Sequence, residues 1–304
     1  MSSGRRAFPL VPRRRPQGTP FGERRSARRG RGADVAGTRP YVPGDPVATI
    51  DWFASAKLSS ARGGDEFVVR ETYAEEAPRV LIVVDRRPSM ALYGDELPWL
   101  VKPAAVSAAA DSIARAAVAA RAELGHADAV GGKAHVLSPG AVPPRHVLER
   151  VRRAPFDAQE GSLGRTLAAL LNRRAELPQG SFVFILSDFL DEPGAALWAR
   201  LRGALWDVVP VVIQDPTWEQ SFPDVSGVVV PFAAPDGGEP APVRLMPVEA
   251  AERRRRNEAR LAGLLRRFGS HGFDPVLLGA SGQAEVDGAF LRWAEHRRLR
   301  RHRR

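Results

Sequence analysis

Three continuous apolar runs rich in β-branched residues, Val80 to Val84, Ser181 to Ser187 and Trp206 to Ile213, mark the later part of the chain. Unbroken apolarity, rather than alternation, is how a strand covered on both faces reads, and it predicts a parallel sheet. Between the runs the apolar period becomes helical. Lys102 to Leu124 reads as an alanine-rich helix, with Pro103 in its first turn and Gly125 as its left-handed stop. Ala105, Ala109, Ile113, Ala116, Ala120 and Leu124 form its buried stripe. Ala127 to Leu137 holds a strand or a strand pair, and Pro144 to Arg152 a short helix. Gly161-Ser162 opens a further helix with Leu163, Leu167, Leu170 and Leu171 on one face, and Pro193 to Arg202 another. This alternation predicts an α/β fold with a doubly wound, mostly parallel sheet. Val225 to Phe232 and Pro242 to Met246 read as a small antiparallel insertion around an Asp236-Gly237-Gly238 turn. Pro247 to Phe268 is a long helix closed by Gly269, Asp274 to Leu278 a last strand, and Val286 to Arg298 a last helix.

Ahead of the first run lies a segment dense in shape-fixing residues. Pro43-Gly44 predicts a type II turn, because proline presets φ at its first corner and glycine accepts the positive φ of the second. Asp45 and Asp51 bracket a short apolar stretch that reads as a strand, and Trp52 and Phe53 are expected to be buried anchors. Arg39, Asp45, Asp51 and Lys57 could form a salt-bridge network holding this segment to the body.

Charge divides the chain further. The formal net charge is +10, but residues 1–31 hold ten Arg against one Glu, and residues 297–304 hold six Arg and no acid. The stretch between is therefore mildly acidic. The expected organisation is a disordered Arg-rich tail over 1–31, a packed motif segment over 32–77, the main domain over 78–296, and a basic tail over 297–304. The tails read either as solvated chain or as weak, sequence-independent contacts with nucleic acid or anionic lipid. No apolar run approaches membrane-spanning length, and the first residues lead into no signal-peptide core. The expected location is the cytoplasm, with the inner membrane face as a peripheral alternative. There is no cysteine, which excludes disulfides and thiolate metal sites. No phosphate-binding loop, nucleophile elbow or zincin motif is present. His126, placed after a helix end, and His271, in a glycine-flanked turn, read as loop histidines.

The order Arg39, Tyr41, Pro43, Gly44, Asp45, then Ile50, Asp51, Trp52, then Ala56 and Lys57, resembles the bacterial family called domain of unknown function 58. Val69-Arg70-Glu71, the strand ending in Asp85, Pro88-Ser89-Met90 and Ser187-Asp188-Phe189 extend the resemblance over roughly residues 32 to 297. The resemblance implies a von Willebrand factor A-like domain and a gene neighbourhood containing MoxR-type AAA+ ATPases. It also implies a metal-ion-dependent adhesion site written D-x-S-x-S plus a separate Thr and Asp. Those positions fall on Asp85, Arg87, Ser89, Ser162 and Asp188.

The residues themselves point to the same place. In a doubly wound sheet, ligands bind beyond the carboxyl ends of the strands where the winding reverses, and Asp85 and Asp188 end two such strands. Oxygen ligands of this kind suit Mg²⁺. Ser162 keeps a hydroxyl, but the residue reads first as a helix N-cap. Arg87 departs from the pattern. It either pairs with Asp85 or Asp188 in the metal's place, or swings to solvent and leaves the metal room. On this reading, Arg87→Ser would restore a ligand and with it Mg²⁺ affinity. The expected function is a non-enzymatic interaction module that partners or adapts a MoxR-type ATPase. The alternatives are a Mg²⁺-dependent hydrolase or nucleic-acid-binding protein, which would lack a general base or second metal, and a peripheral anchor acting through the arginine ends.

Overall fold

The structure, a computed structural model, describes residues 7–13, 35–64, 66–72, 78–92, 99–225, 227, 229–232 and 241–302. The chain forms two compact units, Arg14–Ala77 and Met1–Arg13 with Pro78–Arg304.

In the smaller unit, strands β1 (Val35–Pro40) and β2 (Val68–Thr72) pair antiparallel, with helix α1 (Trp52–Arg62) between them in sequence. The expected turn is present: Asp45 N–H bonds Val42 O at 3.0 Å across Pro43-Gly44, and Gly44 takes φ +108°. Arg39 clasps Asp45 through two 2.6 Å bonds, and Asp45 also accepts from Val42 N–H. The stretch between Asp45 and Asp51, expected as a strand, instead forms a 3₁₀ turn over Val47–Thr49, and a helix starts directly after Asp51. The Asp51 carboxylate accepts the Ala54 N–H at 3.0 Å as an N-cap, which turns the chain helical, and it also accepts Arg70 Nε at 2.7 Å. Trp52 and Phe53 thus sit in the first turn of a short helix and are 60% and 83% exposed, not buried anchors. Trp52 meets the Phe67 ring edge-on at 6.0 Å. Ile50 bridges to Val69, Tyr41 is half-buried, and Ala56 and Lys57 are exposed. The ion pairs Arg39–Asp45 and Arg70–Asp51 are separate and internal to this unit.

The larger unit is an α/β/α sandwich. Its sheet contains β3 (Arg79–Val84), β4 (Glu123–Val130), β5 (Lys133–Leu137), β6 (Phe182–Ser187), β7 (Asp207–Ile213) and, past the β8–β9 hairpin, β10 (Val276–Leu278). The order is β10-β7-β6-β3-β4-β5, parallel except for the edge strand β5. Strand pleating sends Val80, Ile82, Val84, Phe184 and Val211 to one face, against α2 (Lys102–Ala119), α3 (Pro144–Arg153) and α7 (Gln283–His302). Leu81, Val83, Val183, Ile185 and Val212 face α4 (Ser162–Asn172), α5 (Ala195–Gly203) and α6 (Pro247–His271). Strands β8 (Val229–Phe232) and β9 (Ala241–Arg244) form the expected antiparallel pair. The turn expected at Asp236 to Gly238 lies outside the described residues.

Several boundaries differ from the sequence pattern. Helix α2 ends at Ala119, where Arg121 takes φ +52° and the chain turns directly into β4. Gly125 therefore lies inside a strand, and a Cβ there would stand 2.6 Å from Leu137 O. The long helix α6 runs through Gly269 and stops at Gly272, which adopts the left-handed conformation. The ends also differ. Phe8 and Val11 are buried in the core, where Phe8 stacks on Phe290 at 4.7 Å, so residues 7–13 are an ordered strap within the expected 1–31 tail. At the other end, α7 continues to His302 and Arg297 is buried, 2.9 Å from Asp207 and 3.2 Å from Asp274. Among the described residues no helix is long and apolar enough to cross a membrane.

Candidate functional site

Strands β3 and β6 are neighbours in register, Val84 opposite Leu186, so the residues after their carboxyl ends emerge side by side. The strand order reverses at this point, with β4 leading one way from β3 and β7 the other way from β6. A crevice is expected there for topological reasons alone. Asp85 follows β3 and Asp188 follows β6, and both are fully buried.

Arg87 lies between them. Its Nη2 is 2.9 Å from Asp85 Oδ2 and 3.0 Å from Asp188 Oδ1, and its Nε reaches Asp85 Oδ1 at 3.2 Å. Of the two positions open to it, the arginine takes the inward one. Ser187 Oγ accepts the Phe189 N–H and donates to Asp85 Oδ2 at 2.7 Å, and Arg87 N–H donates to Asp85 Oδ1 at 3.1 Å. Every contact to Asp85 thus comes from a donor, the pattern of an ionised carboxylate. Burial pushes the Asp85 carboxyl above its ordinary value, and the Arg87 charge opposes the shift. Burial likewise works against the Arg87 charge, but Asp85 and Asp188 more than offset it and hold the guanidinium above its ordinary value.

A second cation enters from α2. Lys102 is fully buried, and its Nζ lies 3.1 Å from Asp188 Oδ2, 2.6 Å from Glu219 Oε1 and 3.0 Å from Ser89 O. The remaining Asp188 oxygen, Oδ1, also accepts Leu190 N–H at 3.0 Å. Burial would raise Asp188, yet Lys102 and Arg87 together bring it below the usual carboxylate range. Glu219 is displaced upward by burial against the pull of Lys102. All four oxygens of Asp85 and Asp188 are therefore engaged by donors of the protein itself.

The two predicted serines are here as well. Ser89 is buried in the short 3₁₀ turn Pro88–Ala91, and Ser162 is the first residue of α4. Gly161, not Ser162, is the N-cap, and Gly161 N–H donates to Asp191 Oδ2 at 2.7 Å. Asp191 in turn lies 3.9 Å from Arg87 Nε, which ties the α4 end to the crevice. Both serine hydroxyls are buried without a hydrogen bond; Ser89 helps to hold Asp188 charged, but outside hydrogen-bond geometry. The residues present do not fit a divalent ion held by Asp85, Ser89, Ser162 and Asp188. A cation there would need carboxylate oxygens that Arg87 and Lys102 already occupy, and it would face both positive charges at close range.

Lys102 carries a sequence signal that motif matching misses. It is one of three lysines against 42 arginines (45 − 3), and it stands at the first position of a helix, where the dipole disfavours a cation. A charge in that place requires an acidic partner. His126 is likewise no loop residue. It is buried within β4, its Nε2 2.9 Å from Asp128 Oδ2 without hydrogen-bond alignment. Burial holds the imidazole below its ordinary value despite Asp128. Asp128 also accepts from Arg86 Nε and Arg150 Nη2, both at 3.2 Å. Burial opposes its charge, but His126, Arg86 and Arg150 outweigh burial and hold it well below the usual range.

Comparison with known proteins agrees with the motif. No curated protein matches the chain. Among solved structures, the chain is similar to a conserved hypothetical protein BatB from Bacteroides thetaiotaomicron, at 14% identity and TM-score 0.46, over 72% of this chain and all of that one. It is also similar to an aerotolerance-related membrane protein from Bacteroides fragilis, crystallised with multiple mutations to serines, at 11% identity and TM-score 0.42 over the same shares. Residues 37–260, which include the Arg39–Lys57 motif and the whole Asp85–Arg87–Lys102–Asp188 cluster, match the family described as protein of unknown function DUF58, and the chain belongs to that family.

Proposed function

We propose that the larger unit is a von Willebrand factor A-type interaction module, not an enzyme, and that it presents the β3–β6 crevice and its rim to a protein partner. The partner in this reading is a MoxR-type AAA+ ATPase, with this chain as its adaptor. The observation that carries the reading is the saturation of Asp85 and Asp188. Each of their four oxygens accepts from the protein itself, so neither carboxylate is free to act as a general base or to hold a catalytic ion. What the crevice retains is an exposed, acidic rim. Asp157, Gln159 and Glu160 are exposed just ahead of α4, and Asp191 is partly exposed beside Arg87. Such a rim suits recognition, in which complementary charge sets partner choice and association rate.

Size-exclusion chromatography of the full chain with the MoxR-type ATPase of the same genome tests the reading. A complex formed by wild type and weakened at least about tenfold by Glu160→Arg, a charge reversal on the rim, is expected. A complex of unchanged affinity in the variant would remove the crevice from the interface. Absence of any complex with wild type would remove the proposed partner.

A further inference from the structure

We infer that Lys102 is a second resident cation of the crevice, that it excludes a divalent ion independently of Arg87, and that a partner engages this face without metal. The last clause rests on the interaction reading above. The first two rest on geometry alone.

Lys102 occupies a position with little to recommend it except its partners. Its ammonium is buried at the amino end of α2, where the helix dipole and the loss of water both disfavour positive charge. It is held by Asp188 Oδ2, Glu219 Oε1 and Ser89 O, at 3.1, 2.6 and 3.0 Å. Two of these three belong to residues assigned to the metal by the sequence pattern. Asp188 is divided between the two cations, Oδ1 to Arg87 and Oδ2 to Lys102. The Ser89 carbonyl on Lys102 also fixes the turn that would have to offer the Ser89 hydroxyl as a ligand.

Removal of Arg87 therefore takes the guanidinium from both aspartates but leaves Lys102 on Asp188 Oδ2. An ion drawn to Asp85 in an Arg87→Ser protein would still meet an ammonium on the neighbouring carboxylate, at a separation where a doubly charged ion is strongly repelled. The arginine is the visible departure from the metal-binding pattern, and the lysine, which lies outside the pattern, closes the site a second time. Glu219 completes the arrangement by giving Lys102 an acid of its own; its Oε2 is anchored by Asp215 N–H at 2.7 Å.

Titration calorimetry with Mn²⁺ and with Mg²⁺ on the full chain decides the inference. Four proteins are needed: wild type, Arg87→Ser, Lys102→Met and the double variant. Wild type and Arg87→Ser are expected to show no saturable binding up to millimolar ion, and the double variant to bind at least about a hundredfold more tightly than Arg87→Ser. Saturable binding by wild type, or binding by Arg87→Ser equal to that of the double variant, overturns the inference. So does a folded double variant that binds no better than Arg87→Ser. Should loss of Lys102 unfold the protein by stranding Glu219, adding Glu219→Gln removes the stranded charge, and the same criteria apply to the triple variant. The partner clause has its own readout. A complex of equal affinity in EDTA and in Mg²⁺ is expected; one that forms only in Mg²⁺ overturns the inference and leaves the interaction reading standing. No complex in either buffer removes the interaction reading, while the ion titrations still stand or fall by themselves.

Discussion

Replacing Arg86 by methionine should be among the most damaging single changes in the larger unit. The Arg86 side chain is fully buried beside the crevice, one residue after Asp85. Its Nε donates to Asp128 Oδ2 at 3.2 Å, and its Nη1 donates to Val151 O and Ala154 O at 3.0 and 3.2 Å. Its Nη2 donates to Arg150 O at 3.4 Å, and its guanidinium lies 5.1 Å from the Phe156 ring centroid. One side chain thus caps the carbonyl end of α3 and neutralises a buried carboxylate. Breaking a buried ion pair from one side costs about 3–5 kcal/mol, and each stranded buried acceptor about 1–3. Two circumstances lower the sum: Asp128 keeps Arg150 and His126, and the Ala154 carbonyl is only partly buried. A net loss of about 3–5 kcal/mol is expected, which at a urea slope of about 3 kcal/mol per M lowers the midpoint by about 1–1.7 M. Arg86→Lys keeps the charge but loses the planar fork that serves four acceptors, and should fall between the two. Fluorescence of the buried Trp198, Trp206 and Trp293 follows unfolding of this unit. A midpoint for Arg86→Met within about 0.3 M of wild type would refute the assigned role. The double variant Arg86→Met/Asp128→Leu should recover part of the loss, since an apolar pair strands no charge.

Other expectations follow from the same geometry. His126 has a lowered value in the fold, so below about pH 6.5 the unfolded chain takes up a proton that the folded chain refuses, and stability falls. Asp128 and Asp188 are also lowered, so their contributions, complete above about pH 4, are lost as pH falls further. Asp85, Asp207 and Glu219 are raised and act in the opposite sense, costing stability as pH rises from about 4 toward their folded values. Urea midpoints at successive pH values should show the decline from about 6.5 to 5 in wild type and its absence in His126→Asn; a slope unchanged in the variant would be evidence against His126 as its source. Trp52→Ala should cost under about 1 kcal/mol because the ring is mostly exposed, whereas Trp198→Ala, in the core, should cost about 3–5. Equal midpoint shifts would contradict that assignment. Phe8→Ala should cost about 3–5 kcal/mol, as its ring packs on Phe184, Phe290 and Trp293; an unchanged midpoint would show that the strap adds nothing to the core.

The strands and helices of the larger unit, and the position of the crevice, were legible in the sequence because burial is written locally. A strand covered on both faces is mostly apolar, so Val80 to Val84, Phe182 to Ser187 and Asp207 to Ile213 announce a parallel sheet. The aspartates that follow two of those runs then mark the point where the sheet reverses. The Pro43-Gly44 turn was legible for the same reason, since proline and glycine constrain their own backbone. What a side chain meets across the fold is not written locally. Lys102 reaches Asp188 over 86 residues and Glu219 over 117, and Arg86 reaches Asp128 over 42. Phe8 and Arg297, both in stretches whose arginines suggest solvated chain, are buried through contacts that close the two ends onto one core. Trp52 shows the converse. A large aromatic promises burial by its type, but a capping carboxylate one residue earlier started a helix and left the ring facing water. Composition and period report how much a segment must bury, whereas charge pairing depends on distances that exist only once the sheet has brought its strands together.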